Sequence, residues 1–279
     1  MKKILTGVAS LALVFLLGAC GGGNNEKASK DSDTQDKAVA AIKDAGVLKV
    51  GLSADFAPFE FHTMSDGKDK IVGADIDLAN AIAEKLDVDV EFMDMEFNAV
   101  LSSLQQGKVD IAISGISATP ERKESFDFSD NYYNPPQKIV INKKNAATFT
   151  SIESLSGKKI GAQKGSVQED VAKTQIADAQ IVSVAKVPNL IIELNQGSID
   201  ALVVEETVGA SYIDQNPDLQ FAEVDLKSSE DEAYAIALPK DSGELKSEIN
   251  DVIKELNDSG KMEEFVQKNI ELANKNAEK

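Results

Sequence analysis

This sequence has very few of the residues that usually build disulfides, metal sites and nucleophilic catalytic centres. Its 279 residues include one cysteine, one histidine and no tryptophan. One cysteine cannot form a disulfide within the chain. His62, which we expect on an exposed loop, has no histidine or cysteine partner for a metal ion. We therefore expect no bound metal and no cofactor. The lack of a His, Cys or other nucleophile motif also argues against an enzyme.

Arginine is equally scarce. The formal net charge is −18, and Arg122 is the sole arginine among 29 basic residues. Such an acidic chain lacks the basic footprint that nucleic-acid binding needs. A guanidinium can hold a carboxylate through two parallel hydrogen bonds, which a lysine ammonium cannot do. Arg122 follows the polar turn Ser114–Thr119, so it either clamps a ligand carboxylate or pairs with a buried aspartate.

Long hydrophobic runs are confined to the N-terminus. The run from Ile4 to Leu17 follows Lys2 and Lys3 and ends shortly before Cys20. It is shorter than the roughly 18 residues that span a bilayer, and its basic start and small-residue end are typical of a secretory signal. The end of this run resembles a bacterial lipobox. We therefore expect residues 1–19 to be removed and Cys20 to be acylated, which places a lipoprotein on the outer face of the cell membrane.

The segment after Cys20 is polar, with little apolar surface to bury. We expect residues 20–44 to form the lipidated cysteine and a flexible tether. About 240 residues remain, which is too many for one small core and fits two lobes.

Apolar periodicity in the body of the chain predicts alternating strands and helices. This alternation predicts an α/β fold with mostly parallel sheets. A helix ending in Gln-Gly and followed by a short apolar strand occurs twice, at Gln106-Gly107 and at Gln196-Gly197. The repeat predicts two lobes on one plan. Ligands collect at the carboxyl ends of such strands, so the polar loops after Ile113, Ala162 and Val204 predict a cleft between the lobes.

Six motifs follow one another along the body of the chain: Phe56–Phe61, Gly73–Ala79, Ser114–Arg122, Phe126–Tyr133, Leu155–Gly161 and Gly260–Met262. Together they resemble the polar amino-acid solute-binding proteins of ABC importers, and the resemblance covers residues 45–272. It implies a two-lobed clamshell of the periplasmic-binding-protein type (type II), joined by hinge strands near Gln137–Ile141 and Tyr234–Leu238. Lobe 1 would comprise residues 45–136 plus 239–279, and lobe 2 residues 140–233.

The same resemblance implies how an amino acid would be held. Arg122 would bind the α-carboxylate, with help from backbone amides around Ser117 and Ser166. Glu205 would bind the α-ammonium together with the Gly115 carbonyl and the Ser117 hydroxyl. The other implied ligand neighbours are aromatic and amide side chains, of which the aromatic ones could instead belong to the core: Phe56, Phe97, Gln163 and Gln168.

Ligand identity stays open at this point. Relatives that bind glutamine or basic amino acids carry an aspartate where this chain has Ser53, whereas Asp55 lies two residues later. A sandwich of Phe56 and Phe97 suits a guanidinium, which favours arginine or lysine over glutamine and other polar amino acids. The implied partners are an L-amino acid and the permease and ATPase subunits of an importer, with the protein acting as a monomer. A cell-surface sensor or adhesin, or a dehydratase-like enzyme on the same fold, are the alternatives.

Overall fold

The computed structural model describes the backbone of residues 32–277 and the side chains of residues 37–275. The predicted signal, Cys20 and the first part of the tether lie outside these residues. None of the described helices is both long and apolar enough to cross a membrane. The helices in this range are α1 (Ser32–Ala45), α2 (Ala74–Leu86), α3 (Phe97–Gln105), α4 (Pro120–Ser125), α5 (Val167–Gln175), α6 (Val187–Gln196), α7 (Glu206–Gln215), α8 (Gly243–Asp258) and α9 (Lys261–Ala277).

Strands alternate with helices over much of the described chain, as the apolar periodicity predicted. The strands are β1 (Val47–Leu52), β2 (Asp55–Phe56), β3 (Glu60–Ser65), β4 (Lys68–Val72), β5 (Asp89–Asp94), β6 (Ile111–Ala112), β7 (Asp127–Phe128), β8 (Gln137–Asn142), β9 (Lys159–Gln163), β10 (Gln180–Val184), β11 (Ala201–Glu205), β12 (Leu219–Phe221) and β13 (Ala237–Leu238). Short 3-10 turns lie at Lys143–Asn145, Ile152–Leu155 and Glu230–Glu232.

Two five-stranded sheets share one plan. Their strand orders are β5-β1-β6-β13-β7 and β10-β9-β11-β8-β12, and β2, β3 and β4 form a small separate sheet. In each large sheet the first three strands are parallel and the fourth is antiparallel to both neighbours. The βα alternation predicted the parallel part. It carried no signal for the antiparallel part, because β8 and β13 follow irregular connections rather than α-helices.

The chain passes from the first sheet to the second and back again. β8 follows β7 after residues 129–136, and β13 follows β12 after residues 222–236. These connections adjoin the predicted crossings, Gln137–Ile141 and Tyr234–Leu238. The predicted two-lobed α/β fold is confirmed, while the residue limits of the lobes stay a prediction.

Apolar side chains cover both faces of the large sheets. In β11, Leu202 and Val204 belong to one buried cluster, whereas Ala201 and Val203 belong to another on the opposite face. A strand buried on both faces is apolar at every position, which is why β11 reads as a continuous apolar run. Packing of this kind fixes the strand ends from which the candidate site is built.

The first helix corrects the predicted tether. Residues 20–44 were expected to be flexible, but α1 covers Ser32–Ala45, and its Val39 and Ile42 side chains are buried in the core. Their spacing of three residues places both on one helix face, and α1 packs against α8. The polar composition of the preceding residues concealed this short apolar face.

His62 also lies elsewhere than expected. It was assigned to an exposed loop, but it belongs to β3, where its ring nitrogens lie 2.8 Å from an Asp69 oxygen and 3.2 Å from an Asp94 oxygen. The His62 side chain is nevertheless exposed to solvent.

Candidate functional site

Arg122 joins loops that follow strands of both large sheets. It lies in α4, which begins after Thr119, whose hydroxyl accepts a hydrogen bond from the Arg122 amide at 3.3 Å. The guanidinium donates to the Ser117 carbonyl at 2.9 Å and to the Gly165 carbonyl at 3.0 Å. Its central carbon lies 5.9 Å from the centre of the Phe97 ring. The arginine is therefore held in a fixed position between the loops after β6 and β9.

No carboxylate within the described part of the chain forms a salt bridge with Arg122. Burial lowers the pKa of its guanidinium, an effect that the more distant charges of Glu121 and Asp170 oppose. The alternative role as one half of a buried structural ion pair is therefore not supported. A desolvated guanidinium that bonds only to carbonyl oxygens retains a strong attraction for an added anion.

Glu205 lies at the end of β11 and directly precedes α7. Its side chain is only 2 % exposed. One carboxylate oxygen accepts a hydrogen bond of 2.6 Å from the Gln168 amide, and the other has no hydrogen-bond partner among the described residues. Burial raises the pKa of Glu205 to about 7. This carboxyl group therefore has an oxygen free to accept a hydrogen bond, and it is only partly ionised at neutral pH. An added cation would bond to the free oxygen and stabilise the ionised form.

The loop after β6 has a backbone shape that needs a glycine. Gly115 has a φ of +53°, and a Cβ atom there would lie 2.9 Å from the Phe56 ring. Its amide donates to the Asp75 carboxylate at 3.0 Å, and the Ser117 hydroxyl donates to the Glu232 carbonyl at 3.0 Å. The Asp75 side chain and the Glu232 main chain thus fix the two residues of the predicted ammonium site.

The two aromatic side chains predicted to flank a ligand have different surroundings. Phe56 is buried, with its ring centre 6.3 Å from that of Phe59 and 6.4 Å from that of Tyr234. Phe97 is only half-buried and lies beside the Arg122 guanidinium. Phe56 therefore closes one wall of the site, while Phe97 supports the arginine.

The remaining predicted residues come together at one point between the sheets. The Gln163 amide donates to the Asp55 carboxylate and to the Ala185 carbonyl, each at 3.3 Å. The Ser166 hydroxyl donates to the Gln163 carbonyl at 2.7 Å. Ser53 is buried, and its hydroxyl has no hydrogen-bond partner in the described part of the structure. Asp55, and not Ser53, is thus in contact with the second half of the site.

Two buried acids escaped the sequence analysis as site residues. The Ser114 hydroxyl donates to Glu60 at 2.6 Å, and the Tyr132 hydroxyl donates to Asp75 at 2.9 Å. Asp55, Glu60 and Asp75 each keep one carboxylate oxygen that finds no hydrogen-bond partner within residues 37–275. We call these three side chains the carboxylate trio.

Burial disfavours ionisation of all three carboxyl groups of the trio. It raises the pKa of Asp55 to about 6 and that of Asp75 to about 6, and it raises the pKa of Glu60 well above its usual range. The Asp75 charge also raises the pKa of Glu60, since like charges in a low-dielectric interior repel. A cation brought to the trio would oppose both the effect of burial and this repulsion.

A weak signal for these two acids exists in the sequence. Glu60 interrupts the apolar segment Phe56–Phe61, and Asp75 lies in Gly73–Ala79, in the first turn of the mostly apolar helix α2. A charged residue in such a setting is either solvent-exposed or paired, and only the tertiary contacts distinguish the two.

The space inside the site is small in this structure. The cavity beside Glu205 has a volume of about 10 Å³, enough for about one water molecule. It is lined by Phe56, Gln163, Gln168, Val187, Leu190, Leu202, Val203, Val204 and Glu205. A second cavity of about 390 Å³ borders Asp55, Lys186 and Tyr212. Admission of a molecule the size of an amino acid to the first cavity therefore requires the surrounding side chains or the two lobes to move apart.

These features agree with the family that the sequence matches. Residues 48–271 match the sequence model of the bacterial extracellular solute-binding proteins, family 3. Since the match covers most of the chain, the protein belongs to this family.

Named relatives and solved structures place the chain among amino-acid binding proteins. It is 34% identical over 270 residues to the arginine-binding extracellular protein ArtP of Bacillus subtilis, covering 96% of this chain and 98% of that one. It is 31% identical to the glutamine-binding protein GlnH of the same organism, covering 96% and 97%. A crystal structure of an amino acid ABC transporter substrate-binding protein from Streptococcus pneumoniae bound to L-arginine is 44% identical. That structure has a TM-score of 0.82, and the match covers 84% of this chain and 98% of that one.

Proposed function

We propose that this protein is the extracytoplasmic binding component of an ABC importer for a basic amino acid, with arginine as the preferred ligand. The proposal rests on the charged groups of the site. These are the Arg122 guanidinium and four buried carboxyl groups, those of Glu205 and the carboxylate trio. Each of these carboxyl groups has an oxygen without a partner among the described residues. A zwitterion supplies one carboxylate for the guanidinium and one ammonium for a carboxyl group. The carboxyl groups left over favour a ligand with a second cation.

Arg122 supplies the carboxylate end of the site. The guanidinium is already oriented by the Ser117 and Gly165 carbonyls, so little order is lost when it binds a carboxylate. Backbone amides around Ser117 and Ser166 add further donors. An ionised donor in a desolvated cleft forms a stronger hydrogen bond than a neutral one.

Glu205 supplies the ammonium end. Its free oxygen accepts one ammonium hydrogen, and the Gly115 carbonyl and the Ser117 hydroxyl oxygen accept others. The ammonium group stabilises the ionised form of Glu205, whose pKa burial raises to about 7. Affinity should therefore fall as the pH drops below about 7, because the carboxyl group then carries a proton that an ammonium cannot replace without cost.

The carboxylate trio receives the side chain. Asp55, Glu60 and Asp75 each offer an oxygen without a partner among the described residues, and a planar guanidinium can bond to two carboxylate oxygens at once. Ser53 stands where some relatives carry an aspartate. The burial of Asp55 and its contact with Gln163 support the interpretation that Asp55 takes over that role.

The relatives support the same ligand class. One matched structure holds L-arginine, and ArtP is described as arginine-binding. Similarity to a glutamine-binding relative does not by itself separate the ligands, since its identity to this chain is only a little lower. The carboxylate trio is what favours the cation.

The N-terminal region supplies the location. We infer that residues 1–19 are removed, that Cys20 is acylated and that residues between Cys20 and α1 form a short tether. The protein would act as a monomer and deliver its ligand to permease and ATPase subunits in the same membrane. A surface sensor or adhesin would use the same binding site without those subunits.

The decisive experiment compares arginine with citrulline, in which a neutral urea replaces the guanidinium, by calorimetric titration. A charge-assisted hydrogen bond contributes roughly 1.5–3 kcal/mol. Arginine should therefore bind about 10- to 100-fold more tightly than citrulline. Equal affinities would show that the trio does not sense a side-chain cation. Lysine and glutamine complete the comparison, since glutamine binding tightest would overturn the choice of ligand.

A further inference from the structure

Gln137 is buried beside the proposed site but is not among the proposed ligand contacts. It is the first residue of β8, directly after the connection that leads from the first sheet. In the antiparallel pairing of β8 with β11, Gln137 lies opposite Glu205. Its side chain is buried. Its carbonyl oxygen is hydrogen-bonded, whereas its amide nitrogen has no hydrogen-bond partner among the described residues.

The side chains of Gln137 and Glu205 are joined through Gln168. The Gln168 amide nitrogen donates to the Glu205 carboxylate at 2.6 Å and to the Gln137 carbonyl oxygen at 3.0 Å. A primary amide has two hydrogens, so both Gln168 donors are in use. Gln137 therefore fixes the rotation of the same nitrogen that orients Glu205.

Glu232 is a charged neighbour of this group. It belongs to the 3-10 turn in the connection that leads back to the first sheet, and its carbonyl accepts the Ser117 hydroxyl. Burial raises the pKa of Glu232, which the neighbouring Gln137 opposes. Two titratable groups act on the pKa of Glu205: the Glu232 charge raises it, and the Tyr234 hydroxyl lowers it.

From these contacts we propose that Gln137 is a positioning residue for Glu205. Gln137 holds Gln168 in the rotamer that presents the free Glu205 oxygen to the ligand ammonium. The inference rests on the proposed function of Glu205. Since Gln137 directly follows the connection from the first sheet, the ammonium site is tied to the geometry of that connection.

The direction of the hydrogen bonds makes the proposal testable. The Gln137 oxygen accepts from Gln168, while the Gln137 nitrogen has no hydrogen-bond partner within the described residues. Gln137→Leu removes the acceptor and lets Gln168 rotate away from Glu205, which raises the carboxyl pKa. Glu232→Gln leaves that acceptor in place but removes a negative charge near Glu205, which lowers the Glu205 pKa. The two variants should therefore shift the pH dependence of binding in opposite directions.

The test measures the affinity for arginine and for its des-amino analogue, which lacks the α-ammonium, across the pH range around the Glu205 pKa of about 7. Gln137→Leu should weaken arginine binding about tenfold, the loss expected for one hydrogen bond to a charged group. It should leave the analogue unaffected and move the midpoint of the arginine pH curve upward. Glu232→Gln should move the midpoint downward.

Gln180→Leu is the matched control, because its exposed amide donates only to the Gly157 carbonyl, and it should change neither quantity. Equal weakening of arginine and the analogue by Gln137→Leu, or midpoints that stay in place in both variants, would overturn the proposal. Glu205→Gln distinguishes failure of the proposed function from failure of the positioning role. If Glu205→Gln leaves the preference for arginine over the analogue intact, the proposed function fails. If that preference is lost but Gln137→Leu is silent, only the positioning role fails.

Discussion

Replacement of Glu205 by glutamine should stabilise the empty protein while it weakens ligand binding. In the folded protein, burial raises the pKa of Glu205 from an ordinary 4.5 to about 7. Between these two values the folded state holds a proton that the unfolded state has released. Stability therefore falls as the pH rises from 4.5 to about 7, and it is level above that range. An amide carries no charge and avoids this loss.

The size of the effect follows from the pKa difference. A change from 4.5 to about 7 corresponds to on the order of 3 kcal/mol when the carboxyl group is fully ionised. The glutamine oxygen accepts a weaker hydrogen bond from Gln168 than the carboxylate does, so part of the gain is lost. We expect Glu205→Gln to gain about 1–3 kcal/mol near pH 8. At about 2 °C per kcal/mol for a chain of this size, that gain raises Tm by roughly 2–6 °C.

Thermal unfolding of the empty protein at several pH values measures this gain. The difference between Glu205→Gln and the unaltered protein should shrink towards zero as the pH falls to 4.5. Glu206→Gln is the matched control, since Glu206 is partly exposed and forms an ion pair of 3.8 Å with Lys138. A surface pair of this kind contributes about 0–1 kcal/mol. An unchanged or lower Tm for Glu205→Gln near pH 8 would refute the reasoning.

Binding should change in the opposite sense. An ammonium group that loses its carboxylate partner in a desolvated cleft costs roughly 2–5 kcal/mol. Arginine affinity should fall on the order of 100-fold in Glu205→Gln. Calorimetric titration and thermal unfolding should be measured on the same variant. A higher Tm with lower affinity is the expected result, whereas damage to the fold would lower both.

Three further predictions concern other parts of the chain. Arg122→Lys should weaken arginine binding about 10- to 100-fold by calorimetry, because the ammonium cannot form the paired hydrogen bonds. The empty protein should melt unchanged. Undiminished affinity would refute the role of Arg122 as the carboxylate clamp. Gly115→Ala should destabilise the protein by about 1–3 kcal/mol in denaturant unfolding, since φ is positive and the new methyl group meets Phe56; an unchanged midpoint would contradict this. Cys20→Ala should release the protein from membranes in cell fractionation, and continued membrane association would count against lipidation.

Much of the fold could be predicted from the sequence because its strands and helices carry strong periodic signals. β11 is apolar at each of its first four positions, and α6 is followed by Gly197 in the left-handed conformation that ends helices. The antiparallel positions of β8 and β13 could not be predicted, since they depend on long connections with no local pattern. α1 was missed because its apolar residues, Ala38–Ile42, directly follow a polar segment and were included in the predicted tether.

Site residues could be predicted where an unusual residue type occurs at the end of a predicted strand or in the loop after it. Arg122 is conspicuous as the sole arginine, and Glu205 follows an apolar strand, so both were singled out. Glu60 and Asp75 were not, because nothing in their local sequence distinguishes a buried acid from an exposed one. Their roles follow only from contacts with Ser114 and Tyr132, which lie more than 50 residues away.

The order of strands in the first sheet has a consequence for how the protein is made and exported. β7 pairs in the sheet with β13, which comes from residues 237–238 near the end of the chain. The N-terminal half therefore cannot complete its sheet until nearly the whole polypeptide has been synthesised. Contacts between residues so far apart form late, since the entropy of closing the loop must be overcome first. A chain built in this way stays incompletely folded during its synthesis, which suits passage through a secretion channel before the two ends meet.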